Sequence, residues 1–119
     1  MIEPGDLRLE WLEGTAIARL SGEIDLSNAE ALKRSIAESI SNQELRLVID
    51  LSAVRYLDSA GIAMLFDLSR RLAEHQQQLF LLVPAESPVR RSLQVSGWPT
   101  SVPIVESLAK AINWSPEVP

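Results

Sequence analysis

Three aspartates and one serine are the residues of this chain whose types and positions suggest chemistry. Asp25 lies in GEIDLSN, Asp50 follows LRLVI, and the pair Asp58 and Ser59 lies in VRYLDSAG. Each comes where a run of strand-forming residues gives way to polar residues or to a helical pattern. Because functional groups in open α/β sheets gather beyond the carboxyl ends of the strands, the pattern predicts three carboxylates and a hydroxyl near one edge of a sheet.

Hydrolytic catalysis by Ser59 would require a base beside it. The chain has one histidine, His75, which falls about four turns further along the helix that Ser59 is predicted to begin. It cannot reach the serine. We expect His75 to be exposed near the helix C-terminus, where a partial positive charge is mildly favourable.

The three carboxylates also raise the question of a magnesium site, since hard cations bind carboxylate oxygens. Each aspartate has a simpler role, however: Asp25 and Asp58 as helix caps, and Asp50 as a strand-end residue that accepts hydrogen bonds from loop amides. The sequence contains neither GxxxxGK[ST] nor GxGxxG, so the usual nucleotide sites have no support. We predict no metal and no cofactor.

Ser59 remains as a residue that another protein acts on. A serine at an exposed helix N-terminus can accept a phosphoryl group and hold it beside backbone N–H donors. The added charge of about −2 would leave the fold intact but would change any partner surface around Asp58. The alternative is that Ser59 is an ordinary cap or first-turn residue.

The elements that position these residues follow from hydrophobic periodicity. LRLEWLE alternates like an edge strand, and Glu13-Gly14 turns it into a second strand, TAIARLSG. A helix should open at Ser27 with a capping box to Glu30, and LRLVIDLS should be a central strand covered on both faces. The alternation of strand and helix continues with the strand QLFLLVP, the helix SPVRRSLQVSGW, the short strand VPIVES and the helix SLAKAI. Ser87 and Pro88 should open the third helix, and Gly97 should end it.

This order predicts an α/β fold with a mainly parallel sheet. Within the helix that begins at Ser59, the period sends Ile62 and Leu65 inward and leaves Met64 near the rim, where its adaptable side chain would suit docking. The 119 residues predict one domain, 1–119, with a loose tail at about 114–119.

Composition excludes several classes of function. The chain has no cysteine, so disulfides and thiolate metal sites are excluded, and its net charge of −5 argues against a nucleic-acid partner. The first ten residues do not resemble a secretory signal, and no run of about 18 apolar residues occurs. We therefore expect a cytoplasmic protein that does not insert into a membrane.

Three segments, GEIDLSNAEAL, LVIDLSAVRYLDSAGIAML and SPVRRSLQVSGW, together resemble the STAS domain of bacterial anti-sigma factor antagonists. They stand in the matching order, and the resemblance extends over nearly the whole chain. The resemblance implies a mixed sheet of about five strands with an N-terminal hairpin, about four helices packed mainly on one face, and no enzyme activity.

By the same resemblance, Ser59 is the phosphoacceptor of a partner anti-sigma factor, a serine kinase with a histidine-kinase-like ATPase fold. Only the unphosphorylated antagonist binds that partner and so releases the sigma factor, and a phosphatase resets the switch. Asp25 would lie beside Ser59 at the docking surface, and Asp58 and Gly61 would shape the loop. Helix periodicity, and not the resemblance, adds Met64 to this surface.

One position departs from the pattern: many antagonists carry a second Ser or Thr where this chain has Ala60. DSAG also occurs in STAS subunits of lipid-transport ABC systems, which bind an ATPase subunit without a phospho-switch, and that is the alternative function. The regular SPVRRSLQVSGW segment favours the antagonist. A phosphoacceptor receiver domain is a third reading, but the opening hairpin and the absence of an acidic pair after the first strand argue against it.

Overall fold

The computed structural model describes residues 5–41 and 43–114, which form five strands and four helices. The elements are β1 Asp6–Leu12, β2 Thr15–Ile24, α1 Ala29–Ser39, β3 Arg46–Leu57, α2 Ser59–Glu74, β4 Gln78–Leu82, α3 Arg90–Val95, β5 Ile104–Val105 and α4 Leu108–Ile112. The strands form one sheet in the order β1-β2-β3-β4-β5, in which β1 is antiparallel to β2 and the other neighbours are parallel. The predicted mixed sheet is confirmed.

The N-terminal hairpin is closed by the predicted two-residue turn. Glu13 and Gly14 have φ values of 47° and 77°, and two consecutive left-handed residues are the geometry that matches the twist of paired strands. The register then runs without interruption from Leu12 opposite Thr15 to Asp6 opposite Ser21. The prediction that β1 is an edge strand is confirmed.

The sheet is covered on both faces, but unequally. Alternate residues of β3, Leu47, Ile49 and Leu51, pack in the main core with side chains of α1, α2 and α3. Val48 points to the opposite face, where Phe80 and Ala111 form a smaller cluster beneath α4. Because successive side chains of β3 point to opposite faces, this strand contributes apolar side chains to the clusters on both faces of the sheet. Three of the four helices pack on the same face.

The opening of α1 differs from the prediction, and the Ser27–Glu30 capping box is not formed. The helix begins at Ala29 after Asn28, while Ser27 donates both its N–H and its hydroxyl to Asp25 Oδ1. An aspartate two residues before a serine can close a local turn with it, and here that turn takes the hydroxyl away from the helix. The prediction that Asp25 caps the helix is also wrong, because its carboxylate accepts from Ser27 and the N-cap residue is Asn28.

The third helix begins two residues later than Pro88, at Arg90, although Ser87 Oγ still accepts a hydrogen bond from Val89 N at 3.3 Å. Gly97, with φ of 78°, follows the helix in the left-handed conformation, as predicted. The predicted tail, beyond Trp114, lies outside the described residues. Trp114 itself packs against Phe80 with ring centroids 5.7 Å apart.

Candidate functional site

Asp50 is not part of the site, because β3 ends five residues beyond the end of LRLVIDLS. The strand continues to Leu57, paired with Ile24 at the end of β2, and two register shifts in β2 allow the pairing to continue. Asp50 thus lies seven residues before the strand end, about 23 Å at 3.3 Å per residue. Its carboxylate is buried and accepts hydrogen bonds from Arg19 Nη1 at 2.6 Å and Ser52 N at 2.9 Å. The predicted strand-end position of Asp50 is wrong.

Asp58 joins the two loops that form the site. Its Oδ1 accepts a hydrogen bond from Gly61 N at 3.0 Å, which caps α2 as predicted, and its Oδ2 accepts one from Leu26 N at 3.0 Å. The Asp58 N–H in turn donates to Ile24 O at 3.2 Å. One carboxylate therefore holds the β3–α2 junction against the β2–α1 loop.

Gly61 allows α2 to begin this close to the end of β2. A Cβ atom at position 61 would lie 2.6 Å from Leu57 Cδ2 and 3.0 Å from Ile24 O, both shorter than ordinary contacts. Gly61 is buried and therefore offers no surface to a partner. Its contribution to the site is to let the backbone of α2 lie close to the backbone of β2. A larger residue at position 61 therefore requires the Leu57 side chain or the start of the helix to shift.

Ser59 is the first residue of α2 and is exposed. Because Asp58 supplies the cap, the Ser59 hydroxyl is not required for helix initiation. The N–H groups of Ser59 and Ala60 belong to the first turn, where backbone donors have no partner within the helix, and the helix dipole makes this end partially positive. The serine therefore lies where an added phosphate is electrostatically compatible with the backbone.

Asp25 and Leu26 form the neighbouring loop. The hydroxyl and then the backbone N–H of Ser27 donate to Asp25 and lower the pKa of its carboxyl below the ordinary value, so Asp25 is negatively charged at neutral pH. Leu26, fixed by its hydrogen bond to Asp58, is 82% exposed. Leu26 was not among the site residues predicted from the sequence. The sequence does contain an indication of its role, because Leu26 is an apolar residue in a polar loop. It belongs neither to the alternating apolar pattern of the preceding strand nor to the apolar face of the following helix.

Comparison with known proteins identifies the fold family. The sequence model of the STAS domain matches residues 6–111. The chain belongs to the STAS domain family. Anti-sigma-F factor antagonist RsfB of Mycobacterium tuberculosis is 34% identical over 100 residues, which is 84% of this chain and 80% of RsfB. BtrV of Bordetella bronchiseptica, also named as an anti-sigma factor antagonist, is 30% identical over 101 residues, or 85% and 86% of the two chains.

The structural comparison agrees with the sequence comparison. The crystal structure of an anti-sigma factor antagonist from Mycobacterium paratuberculosis superposes on this STAS domain with a TM-score of 0.80 and 28% identity, covering 92% of each chain. The predicted membership of the bacterial anti-sigma factor antagonist family is confirmed. The DSAG junction lies inside the matched residues.

The predicted position of Met64 at the rim of this STAS domain is wrong. Met64 is 2% exposed and packs in the main core, whereas the preceding Ala63 is exposed. Ile62, predicted to point inward with Leu65, is half-buried. Because α2 packs against both the sheet and α1, its buried stripe is wide enough to include two consecutive residues, Met64 and Leu65, and Met64 offers no side chain to a partner.

The remaining predictions about chemistry can be placed on this STAS domain. His75 is exposed at the C-terminal end of α2, as predicted. Within residues 5–41 and 43–114, no three carboxylate or histidine side chains are grouped so that they could hold a metal ion. Across the same ranges, no helix has the length and hydrophobicity needed to cross a membrane. The structure brings Asp25, Asp58, Ser59 and Gly61 together and leaves out Asp50 and Met64.

Proposed function

We propose that this STAS domain is an anti-sigma factor antagonist that is switched by phosphorylation of Ser59. Its docking surface, called the Ser59 surface below, consists of Asp25, Leu26, Asp58 and Ser59. When Ser59 is unmodified, this surface binds an anti-sigma factor with a histidine-kinase-like ATPase fold, and the sigma factor is released. The domain itself catalyses no reaction.

The partner acts as a serine kinase in this proposal. It transfers the γ-phosphoryl group of ATP to Ser59 Oγ, which forms the P–O bond while ADP and the hydroxyl proton leave. A phosphatase later hydrolyses the phosphoserine to serine and inorganic phosphate. With Ala at position 60, the loop offers the kinase one acceptor hydroxyl.

The observation that carries this proposal is the division of roles between neighbouring residues. Asp58 accepts the capping hydrogen bond of α2, so the exposed hydroxyl of Ser59 can be modified without the loss of a cap. If Ser59 were itself the cap, phosphorylation would change the stability of the helix as well as the surface. With Asp58 as the cap, phosphorylation of Ser59 can change the surface without changing the stability of the helix.

Phosphorylation should abolish binding through charge and desolvation. The added phosphate carries about −2 charge and lies beside the carboxylates of Asp58 and Asp25, so burying all three against a partner becomes costly. Leu26 is the apolar residue that such a partner would cover, and well-desolvated apolar anchors dominate the binding energy of interfaces. The backbone of the domain should change little.

The test is a pull-down from the native host with four forms of the protein: wild type, Ser59→Ala, Ser59→Asp and Ser101→Asp. Ser101 is the matched control because it is exposed and its carbonyl accepts a hydrogen bond from Gln78, the first residue of β4, at the opposite end of the sheet. Captured proteins are identified by mass spectrometry. The recovered partner is then incubated with ATP and wild-type protein, and the modified residue is located by peptide mapping.

Recovery of a kinase-type ATPase by wild type, Ser59→Ala and Ser101→Asp, but not by Ser59→Asp, together with phosphate on Ser59, supports the switch. Equal recovery of such an ATPase by all four forms would contradict control by Ser59. Recovery of a transporter ATPase with its membrane partner by all four would replace the proposal with the transport-subunit alternative.

A further inference from the structure

The two edges of the sheet differ in how they are protected. β5 is only two residues long and follows Pro103, whereas β1 has seven residues in unbroken register with β2. Short strands, prolines, charged side chains, lysine above all, and bulges are the usual devices that prevent an edge strand from pairing with another chain. Asp6–Leu12 contains no proline, lysine or bulge, and its charged residues, Asp6, Arg8 and Glu10, are of both signs.

The sequence of β1 is complementary to itself in the antiparallel direction. If two copies of β1 pair about an axis through Leu9, Arg8 of each copy lies opposite Glu10 of the other. On the other face of the strand, Leu7 lies opposite Trp11. A two-fold axis repeats each pair, so the same register matches charges on one face and apolar side chains on the other.

Among the described residues of the isolated chain, one face of β1 has a charged side chain without a salt bridge and the other has an exposed apolar side chain. Arg8 lies opposite Arg19 in the β1–β2 register. Arg19 forms salt bridges with Glu10 and Asp50. Within the described part of the chain, Arg8 forms no salt bridge. Like charges directly opposite each other are destabilising. Trp11 is 53% exposed at the margin of the helix-covered face. A second copy would supply a carboxylate to Arg8 and cover Trp11.

We propose that this STAS domain forms a homodimer through antiparallel pairing of β1 with β1 of a second copy, in the register centred on Leu9. The two sheets then join into one sheet of ten strands. The contact uses the same residues from both copies and therefore closes at two copies instead of forming a fibre. It uses the β1 edge and not the Ser59 surface, so it does not rest on the proposed function.

The first test is charge reversal, followed by sedimentation velocity and native mass spectrometry at concentrations up to about 1 mM, which covers weak association. The monomer mass is 13.2 kDa. Arg8→Glu and Glu10→Arg each place like charges opposite one another twice, and each should weaken dimerisation at least about tenfold. Mixing the two variants restores opposite charges at both pairs, so a heterodimer should form.

Arg91→Glu is the matched control for Arg8→Glu, because Arg91 is exposed on α3 and the change in net charge is the same. It should dimerise like wild type. Since Glu10→Arg also removes the contact with Arg19, thermal unfolding of every variant is recorded beside its mass. Loss of dimer with an unchanged melting temperature assigns the effect to the contact.

A second test does not depend on charge. The chain has no cysteine, so Leu9→Cys introduces one thiol, and residues directly opposite in an antiparallel pair have Cα atoms about 4.5–5.5 Å apart, within disulfide range. Oxidation should cross-link Leu9→Cys but not the control Leu45→Cys, whose side chain is 68% exposed outside β1. A wild-type protein that remains monomeric at about 1 mM, or equal cross-linking of both cysteine variants, would overturn the proposal.

Discussion

Gly61→Ala tests whether the approach of α2 to β2 positions the site. In an ordinary exposed helix position, alanine is more stable than glycine by about 1 kcal/mol. At position 61 the new methyl group would lie 2.6 Å from Leu57 Cδ2 and 3.0 Å from Ile24 O. The Leu57 side chain is buried and Ile24 O is backbone, so either this side chain or the start of the helix must shift.

The magnitude follows from two opposing contributions. An extra methyl group in a well-packed region costs about 1–3 kcal/mol, and the higher helix propensity of alanine returns about 1 kcal/mol. We expect a net loss of up to about 2 kcal/mol in the free energy of unfolding, which corresponds to a fall in Tm of roughly 4 °C for each kcal/mol in a domain of this size. The same movement should weaken the hydrogen bond between Asp58 and Leu26.

The assay is urea unfolding of wild type, Gly61→Ala and Ala63→Gly, followed by circular dichroism. Ala63 is exposed two residues further along the same helix, so its replacement by glycine measures helix propensity alone and should cost about 1 kcal/mol. Amide NMR shifts of Leu26 and Asp58 report whether the two loops separate. If Gly61→Ala were more stable than wild type by about the amount that Ala63→Gly loses, the close-approach argument would be refuted.

Three further predictions concern the Ser59 surface. Asp58→Ala removes the acceptor for two backbone N–H groups and should lower the free energy of unfolding by about 1–2 kcal/mol. Asp58→Asn keeps one side-chain oxygen and should lower it less, and chemical denaturation of both variants measures the difference. Leu26→Ala should change stability by less than about 0.5 kcal/mol because the side chain is 82% exposed. It should weaken partner binding by about tenfold or more, as measured by calorimetry with the captured partner, and an unchanged affinity would remove Leu26 from the surface. The hydrogen bonds from Ser27 hold the pKa of Asp25 below its ordinary value of 3.8, so they stabilise the fold above that pH and the contribution is lost as pH falls below it. Ser27→Ala should raise the Asp25 pKa toward 3.8 in a carbon NMR titration, and an unchanged pKa would contradict the assigned cause.

Features that depend on neighbours in sequence were predictable. The turn at Glu13-Gly14, the cap by Asp58 and the left-handed residue Gly97 each follow from backbone preferences and short hydrogen bonds within a few residues. The exposure of Ser59 followed from its place at the first turn of a helix. These local rules were sufficient to locate the DSAG junction at one end of the sheet.

Features that depend on packing partners were not predictable in the same way. Polar Ser52 made β3 look finished, yet pairing with β2 extends the strand to Leu57 and places Asp50 in its middle, beside Arg19. The Asp25 turn took the Ser27 hydroxyl that the capping box required. In each case two local solutions were available, and the hydrogen-bonding partners present in the fold selected one of them.

The sequence by itself determined the order of the strands and helices, the family and the position of the phosphoacceptor candidate, because hydrophobic period, turn residues and the DSAG segment are readable along the chain. The tertiary structure decided which side chains form the surface around it. Helix periodicity sets only the angle between residues, so contacts with the sheet and α1 were needed to place Met64 inside. The Asp58 carboxylate, which binds Leu26 N across 32 positions of sequence, left Leu26 exposed beside Ser59.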